Sequence, residues 1–130
     1  MNKEQKLVEE CKNADTLPKI TATLSRLLSE GYSIWTDGTL YNVKHLVDKT
    51  SGIKIEIFGK EHAPPHFHVS RGDIDASFTI ESCQHLVGNI GNREKKLIEF
   101  WYEQSRETLI KIWNETRPTD CPVGPIRPPE

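Results

Sequence analysis

The stretch HFHVSRGDIDASF, residues 66–78, constrains the fold more than any other part of the chain. Apolar and polar residues alternate on both sides of a glycine-containing break, which is the period of a strand rather than a helix. With Arg71-Gly72 as a two-residue turn, loop length sets the pairing. Ser70 then faces Asp73, Val69 faces Ile74, His68 faces Asp75, Phe67 faces Ala76 and His66 faces Ser77. Phe67, Val69, Ile74, Ala76 and Phe78 share one side of this hairpin. His66, His68, Asp73, Asp75 and Ser77 share the other, and a slip of one residue would mix the two sets.

A sheet with one apolar face needs a second layer. The longest apolar stripe available is a helix over about residues 93–116, carrying Leu97, Trp101, Leu109, Ile112 and Trp113, with a break near Ser105. Asn92 suits its N-cap and Glu94 its positive end. Ile53, Ile55 and Ile57 alternate with Lys54, Glu56 and Phe58 as a further half-buried strand, and a short strand is expected around His85–Val87.

Residues 1–13 support a short helix at best. A stronger one follows, capped by Asp15 or Thr16, with Pro18 in its first turn and Leu17, Ile20, Leu24, Leu27 and Leu28 on one face. Gly31 can supply the left-handed residue that stops it. Asp37-Gly38 reads as a hairpin turn placing Trp35 opposite Leu40 and Ile34 opposite Tyr41. Residues 43–52 fit either a short helix or an extended connection. The tail from 118 holds five of the eight prolines and reads as disordered. The fold class is therefore α+β: a small antiparallel sheet with a long C-terminal helix on one face, preceded by a helix and a β-hairpin. The organisation is an N-terminal extension (1–51), a core (52–116) and a Pro-rich tail (117–130), expected to form one compact domain.

Composition narrows function. Seventeen Lys and Arg against nineteen Asp and Glu give a net charge of −2, without the basic face that a strong duplex binder uses to neutralise phosphates. No run approaches the ~18 apolar residues of a membrane span, and the N-terminus has no apolar h-region of a signal peptide. Cys11, Cys83 and Cys121 form no CxxC and are odd in number, which favours a reducing cytosol. Cys83 and His85 have no context that would make a thiol nucleophile, so Cys83 is expected to be inert.

Three of the chain's five histidines fall within EHAPPHFHV, residues 61–69. The simplest account is a solvated polar face, where a His–Asp cross-strand pair contributes only ~0.2–1 kcal/mol. A site is the alternative. Histidines at alternate strand positions lie about 6.6 Å apart along one face, a spacing that suits two ligands of one metal or an acid–base pair flanking a phosphate or acyl group. Asp75 opposite His68 could fix its tautomer. The two prolines stiffen the approach and could position His62 for a third contact. The spacing H-x3-H-x-H matches no strong zinc signature, so a metal stays an open question and no cofactor is expected. For phosphodiester cleavage, Arg71, Lys54 or Lys60 could steady the developing charge.

The stretch GIKIEIFGKEHAPPHFHVSRGDIDASFTIESCQHLVGNIGNREKKLIEFWYEQSRETLIKIW resembles a small prokaryotic family known only as domain of unknown function 4160. The likeness rests on the isoleucine strand, the HAPPHFHV core, the acidic-apolar strand after it, a short strand-like segment and a Leu- and Trp-rich helix. It spans roughly residues 52–116. The resemblance implies a small cytoplasmic α+β protein with His62, His66 and His68 at the family's characteristic positions. It also implies a protein partner encoded nearby, in an arrangement similar to toxin–antitoxin pairs, but no demonstrated reaction. Residues 15–43 look like an addition to the family pattern, and Glu61 stands where Asn or Asp is expected.

Two functions are compatible with these features. One is a toxin-like, metal-independent ribonuclease in which His66 and His68 share acid and base roles, Asp75 orients His68, Arg71 steadies phosphate and His62 adds a contact. The other is a non-enzymatic, antitoxin-like or regulatory protein whose histidine face and N-terminal extension bind a partner. The acidic balance favours the second and the clustered histidines the first.

Overall fold

The computed structural model describes residues 1–47, 52–58, 64–116 and 126. Helices α1 (Lys3–Asn13) and α2 (Leu17–Ser29) lead into a hairpin of β1 (Glu30–Ile34) and β2 (Leu40–Val47). An antiparallel sheet in the order β3 (Lys54–Phe58), β4 (His66–Arg71), β5 (Ile74–Thr79), β6 (His85–Asn89) follows, and α3 (Asn92–Thr116) closes the chain. The chain is α+β, as its patterning indicates.

The helix α1 is firmer than its few apolar residues suggest. Asn2 and Gln5 form a reciprocal capping box that satisfies two orphan N–H groups, and Leu7 and Cys11, one turn apart, are buried. Thr16 caps α2 by accepting from the Lys19 N–H, and Gly31 takes the left-handed conformation at φ 82° just past its end. The structure begins α3 at Asn92 rather than after it, with Gly91 O accepting the Lys95 N–H. Residues 43–47 are extended strand, which resolves that part of the ambiguous segment.

Both hairpin turns differ from the sequence expectation, for one physical reason. A two-residue turn of the favoured kind needs positive φ at its first central residue. Arg71 would have to adopt it in the expected β4–β5 turn. The structure instead uses Gly72-Asp73, with Gly72 at φ 51°, so Arg71 pairs with Ile74, Val69 with Ala76, His68 with Ser77, Phe67 with Phe78 and His66 with Thr79. In the N-terminal hairpin, Gly38 at φ 89° ends a three-residue loop and the Asp37 carboxylate accepts the Thr39 N–H. Ile34 therefore faces Leu40 and Ser33 faces Tyr41, while Trp35 turns outward, 58% exposed.

The β4–β5 shift moves the pairing by two residues, so the faces survive. Phe67, Val69, Ile74, Ala76 and Phe78 are all buried, each such side chain contributing ~1.5–3 kcal/mol where large and apolar. The Phe67 ring meets Trp101 edge-on at 5.7 Å and stacks on Tyr102 at 6.3 Å, which docks α3 on the sheet. The Tyr102 hydroxyl donates to Ile80 O and accepts from Arg106 Nε, which also donates to Glu81 O. Trp101 Nε1 donates to Ile20 O, joining α3 to α2, and the buried residues of the N-terminal helices are continuous with those of the sheet.

The expected disorder of the tail falls mostly outside the described residues. Ile126 is an exception. It is buried, and the Asn114 side chain accepts its N–H at 2.8 Å and donates to its carbonyl at 2.9 Å.

Candidate functional site

The outer face of the sheet is built in rows. Glu56, His68, Ser77 and Val87 lie across the four strands in one row, with Lys54, Ser70, Asp75 and Asn89 beside it and Phe58, His66 and Thr79 on the other side. Of the expected site residues, His66, His68 and Asp75 share this face. His62 lies outside the described residues. Arg71 belongs to the opposite face, because its position in β4 is in phase with Phe67 and Val69. The expected partnership of Arg71 with the histidines is thus corrected by the strand's own alternation.

His68 does not sit directly opposite Asp75, as the expected register required. It faces Ser77, and its Nε2 reaches the Asp75 carboxylate diagonally, a reach that long side chains make across neighbouring pairs. The contact fixes which ring nitrogen meets the acid and so constrains the tautomer. The His68 side chain is 22% exposed and that of Asp75 73%. His66 is also half-buried, and its Nδ1 lies 3.0 Å from Pro64 O. Ser77 and Thr79, only 7% exposed, lie between the histidine strand and β6. The face is thus uneven: the imidazoles and these two hydroxyl residues are partly or largely buried, while Asp75 and Val87 stand exposed.

Charge on this face is mixed and leans acidic. Glu56 neighbours His68 on one side and Asp75 contacts it on the other, while Lys54 pairs with Glu56 at 3.6 Å. Among the described residues, no group of three or more His, Cys, Asp or Glu side chains is placed to hold a metal ion.

Arg71 is explained by structure instead. It is 7% exposed, and its guanidinium donates to Leu28 O at 3.2 Å. Leu28 lies in the last turn of α2, whose carbonyls lack intrahelical donors and carry the negative end of the helix dipole. The arginine therefore caps one helix from a strand distant in sequence. Sequence reading missed this, because nothing local to Arg71 signals a helix end. Together with Gly72, Asp73, Gly91 and Glu94 it lines a cavity of about 470 Å³, on the side away from the histidines.

Cys83 is a free thiol enclosed by the fold. It is 7% exposed, and burial, with Glu99 nearby, pushes its thiol up to about 12.

The isoleucine strand, the histidine hairpin, the short β6 and the Leu- and Trp-rich α3 form one contiguous segment, and a family model described as "Domain of unknown function (DUF4160)" matches residues 52–114. This part of the chain belongs to that family. The DUF4160 segment comprises the whole four-stranded sheet and nearly all of α3, whereas α1, α2 and the first hairpin precede it. No curated protein and no solved structure matches the chain. No described helix is long and apolar enough to cross a membrane.

Proposed function

We propose that this protein is the partner-binding component of a toxin–antitoxin-type pair and that the face bearing His66, His68 and Asp75 is its recognition surface. The observation that carries this reading is the charge around His68: one carboxylate in contact and a second on the neighbouring strand. A polyanion approaching His68 meets these acids, and the arginine that would have steadied phosphate faces the other way. A partner protein presenting basic and hydrogen-bonding groups meets complementary charge. Half-burial of both imidazoles holds them in place before binding, which lowers the ordering cost of association.

The His68–Asp75 hydrogen bond favours a second reading, acid–base catalysis, because a carboxylate that orients an imidazole is the arrangement a general base uses. Expression in growing cells, with and without the neighbouring gene, separates the two. Partner binding requires that this protein be harmless alone and relieve a toxic neighbour, with His68→Ala losing that relief. Toxicity of this protein alone, abolished by His66→Ala, would establish the enzyme instead.

A further inference from the structure

The longest stretch of the chain without Asp, Glu, Lys or Arg is SCQHLVGNIGN, residues 82–92, in a sequence that is 28% charged. It contains β6, which ends the described sheet, with no described strand beyond it. Residues Leu86 to Asn89 are all exposed, Val87 at 67% and Leu86 at 40%. A strand edge displays unpaired backbone N–H and C=O groups, and proteins commonly guard such edges with charge. The other edge of the same sheet is guarded in that way. Lys54 and Glu56 alternate along β3 as an ion pair, and α2 packs beside that strand. The two edges of one sheet are thus treated differently.

We infer that β6 pairs antiparallel with β6 of a second copy of this chain, joining the two sheets across a two-fold axis. The occupant follows from self-complementarity. About a two-fold axis through the middle of the strand, His85 faces Asn89, Leu86 faces Gly88 and Val87 faces its own copy, so no pair sets two acidic or two basic side chains together. Val87 is the central residue of His85–Asn89, which places it against its counterpart on the axis and removes the most exposed apolar side chain of the sheet from water. The pairing is short. Leu86 is an extra residue opposite β5, and Gly88 has φ 103° with Asp75 O only 1.9 Å from where a Cβ would stand, so the edge is twisted at both positions. A contact of this size makes a reversible, concentration-dependent dimer rather than an obligate one.

Sedimentation equilibrium of the full chain over a concentration series tests this. The wild type is expected to pass from monomer to dimer, with the amides of β6 gaining hydrogen-exchange protection over the same range. Val87→Lys, which sets two ammonium groups against each other at the axis, is expected to raise the dissociation constant at least about tenfold. Val87→Thr, uncharged and suited to a strand, is expected to preserve association. Unchanged melting temperatures for both variants keep the comparison free of folding defects. A wild type that stays monomeric throughout would overturn the inference, as would a dimer indifferent to Val87→Lys. Protection of β6 only on adding the neighbouring gene's product would assign the edge to that protein and equally reject the second copy.

Discussion

His68 touches Asp75 across the hairpin although the two residues are not a directly facing pair: Ser77 faces His68, and Ser70 faces Asp75. The contact is diagonal, and it joins a half-buried imidazole to an exposed carboxylate. Such a pair adds little to folding, since water screens the exposed partner, yet it orients the ring.

Substitutions at the histidine face should therefore separate stability from phenotype. Asp75→Asn is expected to change unfolding free energy by less than ~1 kcal/mol and to reduce the cellular phenotype only in part, because both imidazoles remain. His66→Ala and His68→Ala are expected to abolish it at comparable abundance, each with a stability change within about 1 kcal/mol. Chemical denaturation alongside the growth assay checks both halves. A loss of several kcal/mol in either alanine variant would mark that histidine as structural.

Arg71 should behave in the opposite way. Arg71→Ala removes the donor to Leu28 O and leaves that helix-end carbonyl without this partner in a buried setting, a change expected to cost about 2 kcal/mol. It should leave the histidine face unaltered, so that whatever protein remains folded keeps the recognition proposed for that face. Normal unfolding free energy for Arg71→Ala would contradict the capping role.

Three hydroxyls are buried with no hydrogen-bond partner among the described residues, those of Ser29, Tyr32 and Ser105, and the last two belong to fully buried residues. Ser105 lies on the line Leu97, Trp101, Leu109, Trp113 along α3, where the apolar stripe is interrupted but the helix stays buried. Removing a desolvated hydroxyl that makes no bond is neutral or favourable. Tyr32→Phe and Ser105→Ala should each leave the melting temperature unchanged or raise it. Ser105→Leu should lower stability by about 1–3 kcal/mol through overpacking. A clear loss in Ser105→Ala would reveal a hydrogen bond to that hydroxyl.

The Cys83 thiol makes stability depend on alkaline pH. Its folded value, about 12, lies above its ordinary value of 9.0, so the folded state holds the proton more tightly. The sign follows: between these values the unfolded chain binds fewer protons, and unfolding free energy falls as pH rises. Burial pushes Tyr32 and Tyr102 in the same direction. Urea titrations at rising pH should show stability intact below pH 9 and declining above it, less steeply in Cys83→Ala measured against its own baseline. A thiol reagent should leave native Cys83 unmodified near neutral pH and label it on unfolding.

The sequence by itself determined which residues share a face wherever the period of two was clean. Phe67, Val69, Ile74, Ala76 and Phe78 went inward together, and His66 stayed with His68 and Asp75, because moving the turn from Arg71-Gly72 to Gly72-Asp73 shifts the pairing by two residues and preserves parity. The same error at Gly38 shifted the first hairpin by one residue and broke parity, leaving Trp35 out of register with Leu40. In both turns the glycine was legible; which loop position it would occupy was set by the φ of its neighbours. Tertiary structure alone decided the fate of Arg71. Its guanidinium is buried because the last turn of α2, more than forty residues away, brings Leu28 O to it, and a helix end that needs a donor leaves no mark on the sequence of the strand that supplies one.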